Sequence, residues 1–117
     1  ERHWFGIIDH ILSSGLEKDR IILNHRGFSP KGENPFGLRN FPDFEMAMKV
    51  KSLTGLSMVL DPSHIGGTVE NVFLIMEKAK QYNFDGAMIE VHPEPKKAKS
   101  DAEQQLTFKE LDKLLII

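Results

Sequence analysis

The sequence contains no cysteine, and this absence excludes a disulfide framework, a thiolate nucleophile and a thiolate metal ligand within the chain. It also lacks any apolar run near the ~18 residues that a membrane-spanning helix needs, and its first residues, Glu1–Trp4, do not form a signal peptide. Fifteen basic and seventeen acidic residues leave a formal charge of −2, so no charge excess favours nucleic acid or an anionic membrane. We therefore expect a soluble, cytoplasmic protein with no nucleic-acid or membrane partner.

The 117 residues that are present suffice for one compact domain, and their 40% apolar content, taken with nine glycines, is typical of globular proteins. Apolar residues recur at helical spacing in four segments, and three short apolar segments between them predict strands. The predicted order is helix, strand, helix, strand, helix, strand, helix, with strands over 20–24, 56–60 and 86–91. This alternation predicts an α/β fold of parallel β/α units, with a sheet covered by helices on both faces.

Local signals predict where the later helices begin. Pro42 fits the first turn of the second helix, where its missing N–H costs nothing. Thr68 is a candidate N-cap for the third helix, and Thr107 with Glu110 forms a capping box ahead of the fourth. Residues 25–40 form a long loop rich in glycine and proline, and loops longer than ~12 residues are often functional.

Unusual polar residues follow the predicted strands, and three of them have side chains that bind metals. His64 follows the second strand, Glu90 lies at the end of the third, and Asp101 lies in the loop beyond it. Sites in parallel α/β folds form at the carboxyl ends of strands, so these three side chains can point into one volume. An imidazole with two carboxylates suits a divalent ion such as Mn, Fe, Co or Zn. The alternative is that His64 is a hydrogen-bonded loop residue next to an Asp-Pro-Ser turn.

Three further features each have a functional and a structural interpretation. Arg26 follows a strand and precedes a glycine, so it can hold a phosphate or carboxylate through bidentate hydrogen bonds, or form an ion pair with Asp61 or Glu90. Gly66–Gly67 can offer free N–H groups to an anion or form a tight turn. Arg39–Asn40 is either a substrate contact or, through its asparagine, a helix N-cap.

Five groups of residues, in this order along the chain, carry a family resemblance. They are Asn24-His25-Arg26-Gly27, Arg39-Asn40, Asp61-Pro62-Ser63-His64, Met88-Ile89-Glu90-Val91-His92-Pro93, and Ser100-Asp101 with Gln104-Gln105-Leu106. Together they resemble the 3-deoxy-7-phosphoheptulonate (DAHP) synthases, of the class similar to 3-deoxy-octulosonate-8-phosphate synthase. The resemblance covers nearly the whole chain.

The resemblance implies a (β/α)8 TIM barrel, of which this chain covers roughly the last three β/α units and a preceding helix. Residues 1–117 are then the C-terminal portion of a single barrel domain, and the N-terminal portion is absent from the chain. Three strands taken from a barrel expose two sheet edges and an apolar interior. We therefore expect the chain to self-associate or to pair with the remaining barrel strands.

The resemblance also implies an activity and site residues. The activity is a metal-dependent condensation of phosphoenolpyruvate with erythrose 4-phosphate, the first step of the shikimate pathway, with this chain as an incomplete part that is inactive alone. The implied roles are catalytic for His64 and Arg26, substrate-binding for Arg26, Arg39, Ser63 and His64, and metal-binding for His64, Glu90 and Asp101. The implied cofactor is a divalent ion: Mn, Fe, Co or Zn.

Two departures from the family pattern bear on these expectations. The fourth metal ligand of the family is a cysteine from an early strand, and this chain has none. His25 stands where the family usually has an acidic residue, which leaves the charge near Arg26 open. The alternatives are a non-catalytic barrel fragment or interaction module, or a related synthase that joins phosphoenolpyruvate to another sugar.

Overall fold

The computed structural model describes residues 1–116, and their helices and strands alternate in the predicted order. The elements are α1 Arg2–Ser13, β1 Ile22–His25, α2 Phe44–Thr54, β2 Ser57–Leu60, α3 Pro62–Gly66, α4 Val69–Ala79, β3 Gly86–Ala87 and α5 Phe108–Ile116, with 3-10 turns at Lys18–Arg20 and Pro95–Lys97. The short helix α3, directly after β2, is an element that the sequence pattern did not predict. No helix among these residues is long and apolar enough to cross a membrane.

The three strands form one parallel sheet in the order β1-β2-β3. β1 pairs with β2 along four residues, from Ile22 opposite Ser57 to His25 opposite Leu60. β3 contributes only Gly86–Ala87, so the predicted strand over 86–91 is too long. The reason is that β2 ends at Leu60 and α3 follows, which leaves the later residues without a strand to pair with.

The core lies between one face of the sheet and helices α1, α2 and α4. Leu23 of β1 is buried with Ile8 of α1 and Val50 of α2. Leu60 of β2 is buried with Ile75 of α4. Removal of these side chains from water is the main stabilising contribution in a fold of this kind.

The opposite face of the sheet is open in the part of the chain that the structure describes. Ile22 and Met88 lie on this face and are 66% and 56% exposed. The prediction that helices cover both faces is therefore wrong for this chain. The strand order runs in one direction, and right-handed crossovers then place the connecting helices α2 and α4 on the same side of the sheet.

The helix starts agree with two of the three local predictions. Thr68 caps α4 by accepting the backbone N–H of Asn71 at 3.2 Å. Thr107 and Glu110 form the predicted capping box at the start of α5. Helix α2, however, begins at Phe44 with Asp43 as its N-cap. Pro42 therefore precedes the cap rather than lying in the first turn.

Candidate metal centre

His64 lies in α3 and is held by the residue that caps this helix. Asp61 Oδ1 accepts the backbone N–H of His64 at 3.0 Å, and Asp61 Oδ2 lies 2.7 Å from His64 Nδ1. Because a carboxylate accepts hydrogen bonds, the second contact places a proton on Nδ1. The lone pair of Nε2 is then free to bind a ligand.

The Nε2 atom of His64 faces two carboxylates. Glu90 Oε1 lies 3.5 Å from it and Asp101 Oδ2 lies 3.8 Å from it, and the three ligand atoms all lie within 4.8 Å of one another. Atoms bound to one ion at bond lengths of about 2.1 Å stand roughly 3 to 3.5 Å apart, so a small contraction would let this cluster hold a divalent ion. The structure brings together the three residues that the sequence selected, and their role as ligands stays a prediction.

Asp101 reaches this cluster from an unusual backbone conformation. Its φ is 53°, in the left-handed region, and it is the one non-glycine residue among 1–116 with a positive φ. This region is sparsely populated by L-residues, although aspartate tolerates it better than most. Backbone outliers of this kind are concentrated at functional sites, which favours a functional role for the Asp101 loop.

Glu90 is fixed both through its backbone and through its side chain. Its N–H donates to Ser63 Oγ at 3.0 Å, and its Oε2 accepts a hydrogen bond from Gln104 Nε2 at 2.9 Å. Ser63 is completely buried, so this hydrogen bond ties the Glu90 backbone to the interior of the protein. The predicted contact between Ser63 and a substrate stays a prediction.

The long loop between β1 and α2 brings Arg39 to the same place. Arg39 Nη1 donates to Asp101 Oδ1 at 2.7 Å and to Gln104 Oε1 at 2.6 Å. The loop is anchored on α3, because the backbone N–H groups of Arg39 and Asn40 both donate to the carbonyl of Ile65 and the Asn40 side chain donates to that of His64. The interpretation of Asn40 as a helix N-cap is therefore wrong.

Two glycines allow this loop to pack closely against its neighbours. A Cβ at Gly27 would stand 2.9 Å from the carbonyl oxygen of Phe41, and one at Gly67 would stand 2.8 Å from the Cβ of Arg39. Both glycines also have a positive φ. The N–H of Gly67 donates to the carbonyl of Ser63, so this position forms the tight turn and does not offer a free N–H to an anion.

Arg26 forms the predicted ion pair, yet its side chain remains largely accessible. Its Nε lies 3.6 Å from Asp61 Oδ2, the same oxygen that contacts His64. The Arg26 side chain is 58% exposed, so its guanidinium can still bind an anion from solution. Asp61 thus links the candidate anion-binding arginine to the candidate metal ligand.

His25, next to Arg26, contributes no positive charge to the site near neutral pH. Its side chain is buried, and its Nε2 accepts the backbone N–H of Asp43 at 3.0 Å. Burial lowers the pKa of His25 to about 4, and the nearby Asp43 carboxylate only partly opposes this effect. The neutral form therefore predominates above that pH.

The charges around the cluster favour a divalent cation. The residues described above contribute the carboxylates of Asp61, Glu90 and Asp101 and the guanidinium groups of Arg26 and Arg39. With the imidazole counted as neutral, three negative and two positive charges sum to −1. A divalent cation would reverse this sign and make the site attractive to a phosphorylated substrate.

Comparisons with known proteins show the family to which the chain belongs. The family model described as the DAHP synthetase I family matches residues 3–117. The chain belongs to this family. It is 36% identical over 108 residues to a phospho-2-dehydro-3-deoxyheptonate aldolase from Thermotoga maritima, and the match covers 92% of this chain and 30% of that relative. The chain thus spans under a third of the length of this curated DAHP synthetase I relative.

Two solved structures from Thermotoga maritima resemble this DAHP synthetase I chain in three dimensions. The crystal structure of phospho-2-dehydro-3-deoxyheptonate aldolase (DAHP synthase) has a TM-score of 0.74 at 33% identity, over 82% of this chain and 27% of the other. A truncated form of 3-deoxy-D-arabino-heptulosonate 7-phosphate synthase has a TM-score of 0.74 at 34% identity, over 83% and 36%. The α/β fold with its parallel sheet therefore matches DAHP synthase structures.

Sequence reasoning missed two residues that organise the site of this family member. Asp61 was considered only as part of an alternative turn and as a possible ion-pair partner of Arg26. An aspartate followed by proline is also the start signal of a helix, and that signal identifies its capping role. Gln104 lies in an irregular loop, fourteen residues after Glu90 in sequence. Periodicity does not reveal which loop residues become buried, so nothing in the sequence pattern predicts this contact.

Proposed function

We propose that this chain forms the C-terminal part of a metal-dependent 3-deoxy-7-phosphoheptulonate synthase. The complete enzyme would condense phosphoenolpyruvate with erythrose 4-phosphate in the cytoplasm and release inorganic phosphate. Residues 1–117 would be the last three β/α units of a (β/α)8 barrel with the helix before them. The proposal is carried by one observation: in a chain of this family, His64 Nε2 and two carboxylate oxygens converge beside an accessible arginine.

The residues present fit a divalent ion such as Mn, Fe, Co or Zn. His64, Glu90 and Asp101 would each provide one ligand atom, and Asp61 holds the imidazole in the tautomer that binding requires. The family resemblance implies a cysteine as a further ligand, and this residue would come from outside the chain, which has none. The bound ion would supply Lewis-acid polarisation of the aldehyde carbonyl of erythrose 4-phosphate.

The basic residues would hold the phosphorylated substrates. Arg26 would bind the phosphate of phosphoenolpyruvate through two parallel N–H donors and offset its charge. Arg39 would contact substrate through guanidinium nitrogens other than Nη1, which already donates to Asp101 and Gln104. His64 would take part in the reaction through Nε2, which would hold the ion beside the reacting atoms while Asp61 holds Nδ1.

The chemistry consists of one addition, one hydration and one elimination. The methylene carbon of phosphoenolpyruvate attacks the aldehyde carbon and forms the new carbon–carbon bond, and the aldehyde oxygen takes up a proton. Water then adds to the resulting cationic carbon and loses a proton. The bond from that carbon to the phosphate oxygen breaks as the new hydroxyl gives up its proton, which yields the ketone and inorganic phosphate. Arg26, by holding the phosphate in place, would keep the enol aligned for the first step and stabilise the leaving group in the last.

The open face of the sheet supports the proposal that other strands complete a barrel. Ile22 and Met88 leave apolar surface exposed on this face, and β1 and β3 lie at the two edges of the described sheet. We expect the isolated chain to cover this surface by self-association. Sedimentation in an analytical ultracentrifuge tests this expectation, and a well-folded, monodisperse monomer at micromolar concentration would contradict it.

The metal site can be tested by calorimetric titration of the chain with Mn²⁺ or Zn²⁺. We expect weak but measurable binding by the wild type and a loss of binding in His64→Ala and Glu90→Ala. His3→Ala is the matched control, because His3 is an exposed residue of α1 outside the site. Equal affinities in all four proteins would reject the metal centre.

The activity requires the rest of the barrel. The chain can be joined to the N-terminal part of the Thermotoga maritima relative, and phosphate release from phosphoenolpyruvate measured with and without erythrose 4-phosphate. We expect release only with both substrates, and we expect Arg26→Ala to abolish it. A folded chimera that binds the metal but never releases phosphate would favour the non-catalytic alternative. Release that requires a different sugar would favour a related synthase.

A further inference from the structure

Gln104 is a buried polar side chain at the centre of the cluster. It lies in the irregular segment between Asp101 and α5, yet only 1% of its surface is exposed. Its side chain contacts Arg39 through Oε1 at 2.6 Å and Glu90 through Nε2 at 2.9 Å. A buried amide is tolerated only when its polar atoms find partners, and both partners of this amide belong to the site.

The chemistry of the two partners fixes the orientation of this amide. Arg39 can only donate hydrogen bonds, so Gln104 must present its oxygen to it. Glu90, as a carboxylate, can only accept, so Gln104 must present its nitrogen there. Glutamine offers an acceptor and a donor on one rigid group, whereas glutamate or methionine in its place lacks at least one of these.

The contacts use one oxygen of each carboxylate and leave the other for the ion. Glu90 accepts from Gln104 with Oε2 and presents Oε1 to His64. Asp101 accepts from Arg39 with Oδ1 and presents Oδ2 to His64. The two free oxygens face the same nitrogen, Nε2 of His64, at 3.5 and 3.8 Å.

We propose that Gln104 is a positioning residue, which together with Arg39 holds the Glu90 and Asp101 carboxylates in the geometry that binds the ion. The inference rests on the proposed metal centre and goes beyond it, because neither residue is itself a ligand. Hydrogen-bond partners of metal ligands typically contribute a factor of about 10 to 100 in metal affinity. Arg39 has this role in addition to its predicted contact with substrate.

The test is a titration of the full chain with Co²⁺, followed by its visible absorption, which reports both affinity and coordination geometry. Gln104→Met keeps the length of the side chain and removes both hydrogen bonds. We expect its dissociation constant for Co²⁺ to rise by about 10- to 100-fold and its absorption bands to change. Gln81→Met, the same substitution at an exposed residue outside the cluster, should leave both unchanged.

Arg39→Met provides a second variant, in which the substituted side chain is itself 46% exposed. If Arg39 affected Co²⁺ binding only through its charge, its removal from beside two carboxylates would strengthen the binding of the cation. The positioning role predicts the opposite, namely weaker binding, because Asp101 and Gln104 both lose their donor. The sign of the change therefore separates the two explanations, even if Gln104→Met proves too unstable to titrate.

The outcomes also separate this inference from the proposal on which it rests. Equal Co²⁺ binding by the wild type and His64→Ala would remove the metal centre and the positioning role with it. Binding that depends on His64 but is unchanged in Gln104→Met or in Arg39→Met would overturn only the positioning role. A Gln104→Met protein that melts earlier but gives the wild-type affinity and spectrum would show a structural role alone, and would equally overturn the inference.

Discussion

Acidification should destabilise this protein through one buried histidine, His25. Its ring packs between Trp4 and Phe28, and its Nε2 accepts the backbone N–H of Asp43 just before α2. Protonation would place a charge in this apolar setting and convert the accepting nitrogen into a donor that faces another donor. The neutral form is therefore favoured in the folded protein, while the unfolded chain takes up the proton more readily.

The size of the effect follows from the pKa of His25, which burial lowers from 6.5 to about 4 in the folded protein. Because the folded pKa lies below the unfolded one, the unfolded state binds more protons between these values, and stability falls as the pH falls through this window. At about 1.4 kcal/mol per unit, the full loss is about 3 kcal/mol. Between about pH 7.5 and about pH 5 the expected loss is about 2 kcal/mol.

Urea denaturation of the folded chain at a series of pH values measures this loss directly. His25→Gln should have a flatter pH dependence in the same window, because glutamine can accept the Asp43 N–H but does not titrate. His3→Gln is the control and should retain the wild-type slope, since His3 is exposed. Other titrating groups are present in all three proteins and cancel in the comparison. Equal slopes for His25→Gln and the wild type would refute the reasoning.

Three further predictions concern the residues that shape the site and its support. Asp61→Asn retains a helix cap but no longer fixes the proton on His64 Nδ1, so Co²⁺ affinity should fall by about 10- to 100-fold in the titration described above. Gly27→Ala should lower the free energy of unfolding by roughly 2 kcal/mol, measured in urea, because its positive φ is strained for alanine and its Cβ would approach the Phe41 carbonyl. Thr107→Ala should lower it by about 1 kcal/mol through loss of the α5 capping box.

Matched variants control each of these predictions. Asp112→Asn makes the same change at an exposed position on α5 and should not affect Co²⁺ binding. Gly32 also has a positive φ but has no neighbour within 4 Å, so Gly32→Ala should destabilise less than Gly27→Ala. Thr107→Ser keeps the capping hydroxyl and should remain close to the wild type. A Gly27→Ala protein as stable as Gly32→Ala would contradict the close approach.

The sequence was most informative where the determinants are local. Thr68 and the Thr107–Glu110 box were predicted correctly because a capping residue and the N–H groups it satisfies lie within one helical turn. The third strand was predicted too long, because its end depends on where β2 ends and that partner is distant in sequence. The exposed face of the sheet was missed for the same reason, since it depends on the order in which strands are placed side by side.

By itself, the sequence determined the order of helices and strands, and it identified His64, Glu90 and Asp101 as side chains at the carboxyl ends of parallel strands. Only the tertiary structure decided which oxygen of each carboxylate faces the imidazole, that Asp61 holds Nδ1, and that Gln104 joins Arg39 to Glu90. Periodicity and capping depend on neighbours a few residues apart. A hydrogen bond between loop residues depends instead on how distant segments pack, which no local pattern encodes.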